Sequence, residues 1–162
     1  MPTSAAGSKR PTALPPGFTL LELLVVVALI AVATAGVSLS LRDSAESALQ
    51  RDAERLAVLL ETGRAQARAN GLPVVWRARD PAPNAVQNFA FEGLPPPGLP
   101  QNWLADNTRA NPGSAITLGP EPLIEPQAVA LSSALAPGKT LWVVTDGLRP
   151  FKVQNTAVWE AP

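Results

Sequence analysis

Residues 18–41 read FTLLELLVVVALIAVATAGVSLSL, and these 24 positions hold one charge, Glu22, with few polar groups beyond Thr19, Thr34, Ser38 and Ser40. As a helix the stretch rises roughly 36 Å at about 1.5 Å per residue, enough to cross a hydrocarbon layer of about 30 Å. One membrane span is expected. The 17 residues ahead of it contain Lys9 and Arg10. Since Lys and Arg stay on the cytoplasmic side, that segment belongs inside and everything after Leu41 outside.

Proline placement extends the helix beyond the apolar run. Of 18 prolines, four (Pro2, Pro11, Pro15, Pro16) come before it and 14 lie from Pro73 onward, with none between Gly17 and Leu72. Proline inside a helix costs roughly 3 kcal/mol, so this gap predicts one long helix. Its polar second half, residues 42–70, carries Leu49, Ala53, Leu56, Leu60, Gly63 and Ala67 at alternating steps of four and three, a stripe expected to pack on a globular head. Arg51, Glu54, Arg55, Glu61, Arg64 and Arg68 fall mostly off that stripe, and Asn70, Gly71 and Pro73 supply stop signals.

From residue 71 the chain reads as short strands at 73–79, 85–92, 114–119, 128–133, 140–145 and 156–160, divided by turn residues. Asp146-Gly147 as a two-residue hairpin turn would set Trp142 opposite Phe151 and place Pro150 on an edge strand. The segment GLPPPGLPQN (93–102) is expected to run extended over the surface. Trp76, Trp142 and Trp159 fall in expected strands and read as core; Trp103 does not, and is the candidate anchor for a partner surface.

Composition closes off most chemistry. The chain has no cysteine and no histidine, which removes disulfides, thiol and imidazole catalysis and Cys/His zinc sites. Thirteen Lys and Arg balance thirteen Asp and Glu, with eleven basic and twelve acidic residues from Arg42 onward, so nucleic acid is not an expected partner. No metalloprotease, nucleophile-elbow, phosphate-loop or EF-hand spacing occurs. Loop oxygens near Asp106 and Asn107, or near Asp80 and Asn84, are the best calcium candidates, and their spacing is generic. No enzyme, cofactor or resident metal is expected.

What remains is the border of the apolar run. Gly17 is followed by FTLLE, so a small residue, an apolar one and then Glu22 stand at the cytoplasmic edge of the span. This stretch resembles the prepilin signal of type IV pilins and type II secretion pseudopilins. The resemblance implies cleavage between Gly17 and Phe18 by prepilin peptidase and N-methylation of Phe18. It also implies that Glu22 answers the new amino terminus of a neighbouring subunit during assembly. A carboxylate inside a membrane segment costs up to about 3 kcal/mol at the helix centre, so a partner at its depth is physically apt; the plain alternative is that Glu22 snorkels to the headgroups. Ala28, Ala31, Ala35 and Gly36 could let helices approach closely, although alanine is common throughout the chain.

Residues 52–77, DAERLAVLLETGRAQARANGLPVVWR, are similar to the helix-to-strand passage of H-type minor pseudopilins (GspH) and the related FimT-like minor pilins. Arg55, Leu56, Leu59, Leu60, Ala65, Arg68, Ala69, Gly71 and Val74 carry that match. VVTDGLRPFKV is similar to the family's final hairpin, and between Ala78 and Lys139 there is no specific correspondence. The implied fold is α+β: a long N-terminal helix, transmembrane in its first half, on a C-terminal antiparallel β-sheet or β-sandwich head. The parts are a cleaved cytoplasmic leader (1–17), a membrane and filament-core helix (18–41), its amphipathic continuation (42–70) and a periplasmic head (71–162). The implied role is assembly at the tip of a type II secretion pseudopilus, with other minor and major pseudopilins, prepilin peptidase and the inner-membrane assembly platform as partners. The nearest alternative by resemblance is a FimT-like minor pilin of a type IV pilus, which shares this fold and processing and differs in its machine and, in some members, in binding DNA. A periplasmic protein with an ordinary secretory signal, possibly an enzyme, cleaved after Ala33-Thr34-Ala35, is the reading from another class, and it must place Glu22 inside the signal's apolar region.

Overall fold

The structure, a computed structural model, describes residues 18–79 and 87–159. Helix α1 (Leu20–Asn70) starts behind Thr19. The Thr19 hydroxyl oxygen accepts the Glu22 N–H and its carbonyl accepts the Leu23 N–H, both at 3.2 Å, which makes Thr19 the N-cap. At the far end Gly71 takes φ +63° and the Leu72 N–H returns to the Ala67 carbonyl at 3.2 Å. This closure around a left-handed glycine is a Schellman stop.

The chain divides into two compact units, residues 1–37 and 38–162, with the boundary inside α1. In the first unit every described residue is exposed. In the second, Leu49, Ala53, Leu56, Leu60, Gly63 and Ala67 are all buried against the head. Gly63 lets the helix come close: a Cβ there would meet Leu118 Cδ1 at 2.8 Å and Phe91 Cε1 at 3.3 Å.

Seven strands form the head: β1 (Val75–Ala78), β2 (Phe89–Glu92), β3 (Thr108–Ala110), β4 (Ala115–Thr117), β5 (Gln127–Ser133), β6 (Thr140–Thr145) and β7 (Lys152–Gln154). They make two antiparallel sheets ordered β2-β1-β4 and β3-β5-β6-β7. In the first, Trp76 pairs with Phe91 and Ile116; in the second, Val143 pairs with Val129 and Val153. Their inner faces meet the Leu49–Ala67 stripe in one apolar core that includes Trp76, Phe89, Leu118 and Leu131. The Gln127 amide bridges the sheets, donating to the Thr117 carbonyl at 2.9 Å and accepting its N–H at 2.7 Å.

Several expectations are corrected. Trp142 faces Gln154, three residues beyond Phe151, so the β6–β7 connection is wider than a two-residue turn. Local polar groups build it. The Asp146 carboxylate accepts the Leu148 and Arg149 N–H groups, and the Thr145 hydroxyl accepts the Gly147 N–H while donating to the Arg149 carbonyl. The Arg149 N–H, above all, holds the Asp146 carboxyl below the usual aspartate range, although burial pushes the other way. Pro150 thereby lies in the loop. Residues 156–159 are not a strand, and Glu160 lies outside the described residues. Strand β3 lacked the apolar run that would have announced it. The 85–92 stretch is strand only from Phe89, and residues 85–86 lie outside the described residues. Trp103, expected on the surface, is partly buried against the core, 4.6 Å from the Phe89 ring centroid. Trp159, expected in a strand, lies half-buried under the Lys152 ammonium at 4.2 Å.

Two charged residues on α1 fix the loops. Asp52, fully buried, accepts the Leu104 N–H at 2.7 Å, the Ala105 N–H at 3.2 Å and the Thr108 hydroxyl at 2.7 Å. Arg64, expected off the stripe, is only 3% exposed and donates to the carbonyls of Gly147 (2.6 Å), Pro122 (3.2 Å) and Arg149 (3.4 Å). An unpaired buried donor costs about 1–3 kcal/mol, so Asp52→Ala should destabilise the head by roughly 3 kcal/mol or more. Urea unfolding measures this; a loss under about 1 kcal/mol would contradict the clamp.

Candidate functional site

The functional candidates lie at the start of α1, in the first unit. Gly17 is outside the described residues. Phe18 stands one residue ahead of the cap, 73% exposed, and Glu22 falls in the first turn of the helix. A carboxylate there meets the positive end of the helix dipole, and Thr19-Leu-Leu-Glu22 has the spacing of a capping box, whose threonine limb is the bond to the Glu22 N–H.

Behind that turn the helix is apolar around its whole circumference. Val26, the least exposed of the large apolar residues between 18 and 37, is still 40% exposed, while Leu20, Leu21 and Val32 exceed 70%. A one-sided helix would hide one face, and this segment has no hidden side. Each large side chain left in water forgoes roughly 1.5–3 kcal/mol, so a dozen of them need hydrocarbon or other apolar helices around them. The one hydroxyl placed mid-run is satisfied internally: Thr34 donates to the Ile30 and Ala31 carbonyls at 2.9 Å. That arrangement leaves no hydroxyl donor to hydrate. By length and composition the helix is able to cross a membrane.

The other described candidates belong to the second unit. The six stripe residues belong to the second unit and face its core. At Asp106 and Asn107 the backbone carbonyls accept Arg109 and the Ala134 N–H; Asp80 and Asn84 lie outside the described residues. Among the described residues no three Asp or Glu groups gather as a cation site. Asp52 and Arg64 were the polar positions missed from sequence. Their signal was their phase: with Leu56 and Leu60 they form a row spaced by four residues, on the side of the helix that faces the head.

Residues 16–38 match the family model described as the prokaryotic N-terminal methylation motif. The chain carries a prepilin-type N-terminus. The match runs through the Gly17-Phe18 junction, Glu22 and most of the exposed apolar run. With a long N-terminal helix followed by antiparallel sheets, it marks a type IV pilin-like protein. No curated protein and no solved structure matches the chain significantly.

If the pilin-type helix is held by hydrocarbon, a charge in its middle must act against insertion by about 3 kcal/mol. Val27→Asp, at an exposed position that touches no core, should shift the protein from the carbonate-resistant membrane fraction to the supernatant while leaving the head folded. Unchanged membrane retention of the variant would count against a membrane-held helix.

Proposed function

We propose that the protein is a minor pseudopilin of a type II secretion system. Prepilin peptidase removes residues 1–17 and methylates Phe18. The helix is stored in the inner membrane with the head in the periplasm, and the subunit joins other minor and major pseudopilins near the filament tip. The observation that carries this reading is the methylation motif sitting on a capped helix whose apolar surface has no cover of its own. The similarity of residues 52–77 and of VVTDGLRPFKV supports the branch that H-type pseudopilins share with FimT-like minor pilins of type IV pili. Within that branch the near balance of charge in the head favours the pseudopilin, because a nucleic-acid-binding pilin needs a basic surface.

In assembly the filament replaces lipid around the apolar helix with other apolar helices, so the subunit leaves the bilayer without exposing that surface to water. Glu22 is then the polar group that selects a position, since a carboxylate among hydrocarbon side chains is tolerated only where a cation meets it. The N-terminus of the processed protein tests the reading. Mass spectrometry should find Phe18, carrying one added methyl group, as the first residue. A terminus at Gly36 would instead identify ordinary secretory cleavage after Ala35 and overturn the assignment.

A further inference from the structure

The end of the head at which α1 enters carries an apolar pair. Ala45 is the first buried residue of α1 among those described, and two turns on Asp52 holds the Leu104 and Ala105 N–H groups and the Thr108 hydroxyl. Thr108 pairs with Ser133, and the Asn107 carbonyl accepts the Ala134 N–H at 3.3 Å, so the turn after β5 lies beside the same loop. Each of these two segments leaves a leucine in water: Leu104 is 63% exposed and Leu135 56%. Their backbones are already held, Leu104 by Asp52 and Leu135 by the Ser133 hydroxyl, so docking costs them little entropy.

What lies nearest to that end is set by the chain itself. Asp52 comes eleven residues after Leu41, the last residue of the apolar run, which is about 16 Å of helix. The headgroup layer on that side of a bilayer fills about 5–8 Å of the distance. The run, about 36 Å long as a helix, exceeds a hydrocarbon layer of about 30 Å, and a span of excess length tilts. A tilt brings one flank towards the headgroups. Charge favours the flank of Leu104 and Leu135: its two loops carry Arg109 and Lys139 against Asp106, and Arg55 stands beside them, donating to the Asn102 carbonyl at 2.7 Å. Cations so placed are attracted to anionic headgroups.

We propose that, while the helix is stored in the membrane, this flank of the head rests on the bilayer surface, with Leu104 and Leu135 in the headgroup boundary and Arg55, Arg109 and Lys139 against anionic headgroups. Entry into a filament then breaks the contact, so the surface serves the stored subunit and is released on assembly. The inference rests on the reading of the protein as a membrane-stored filament subunit. Leu123 and Leu148, also exposed, belong to the other end of the head, beside the Pro122 and Gly147 carbonyls that Arg64 holds, and stay in water.

The absence of cysteine allows one label per molecule. Full-length protein carrying Leu104→Cys, Leu135→Cys, Leu123→Cys or Leu148→Cys is purified from cells that contain prepilin peptidase and labelled with a fluorophore. It is then placed in vesicles of phosphatidylethanolamine and phosphatidylglycerol that carry a lipid with a nitroxide near its headgroup. All four side chains are exposed, so none of the changes opens the core. A side chain docked on the surface sits about 5–10 Å into the headgroup boundary, so quenching at 104 and 135 should exceed that at 123 and 148 by about threefold or more. Leu104→Glu should lower the quenching at 135, and so should phosphatidylcholine in place of phosphatidylglycerol. Equal quenching at the two ends, or quenching at 135 indifferent to Leu104→Glu or to the lipid exchange, would overturn the proposal. So would a label at 104 that is shielded from iodide and not reached by the nitroxide, because protein would then cover the face. The purified protein separates the failures: a first residue of Phe18 and resistance to carbonate extraction without quenching remove the docking alone, whereas a first residue of Gly36 removes the stored subunit beneath it.

Discussion

One helix has to satisfy two environments that make opposite demands. Through its second half, α1 must turn a stripe of small and apolar residues inward and keep charge outward, because a single head covers only one side. Through its first half no such asymmetry exists, and every large apolar side chain between residues 18 and 37 is at least 40% exposed. The free energy left in that uncovered surface exceeds the whole stability of an ordinary small domain, about 5–15 kcal/mol. The apolar half therefore needs hydrocarbon or other apolar helices around it.

The head's own constraint is electrostatic. Strands of three to seven residues and long loops give the sheets little intrinsic hold, so α1 supplies it with two buried charges that address backbone groups. Asp52 gathers two N–H groups and a hydroxyl from the 104–108 segment, and Arg64 gathers carbonyls from the segments at 122 and 147–149. Charge-assisted bonds of this kind are stronger than neutral ones, and all but the one to the Thr108 hydroxyl tie loop backbone to the helix. The same arginine steadies the exposed loop around Leu123 through the Pro122 carbonyl.

The helix and the class of fold were legible because they depend on patterns with long reach. The proline gap, the cap signals and the stripe at steps of four and three give α1 its extent and its inward face. What escaped depended on single polar side chains. The β6–β7 register turned on Asp146 and Thr145 recruiting backbone partners, which widened the expected two-residue turn and moved Phe151 into the core. Strand β3, with Thr108, Arg109 and Ala110, has no apolar alternation and exists because β5 pairs with it while Asp52 holds its first hydroxyl. Arg64 was hidden by its charge: residue type argued for solvent, while its phase placed it inward. At the N-terminus the motif was fully legible as sequence, and the structure adds the Thr19 cap and the uncovered helix behind it.

The central claim is that Glu22 works as an assembly group whose charge is answered by a neighbour, beyond being tolerated at the membrane edge. The most direct measurement compares the processed full-length protein with its Glu22→Ala variant, following the fraction of each in sheared filaments against the fraction left in the membrane. Normal removal of residues 1–17 with a filament fraction reduced about tenfold or more is the predicted result, in keeping with the loss of a desolvated charge pair. Equal incorporation of the two proteins would contradict it.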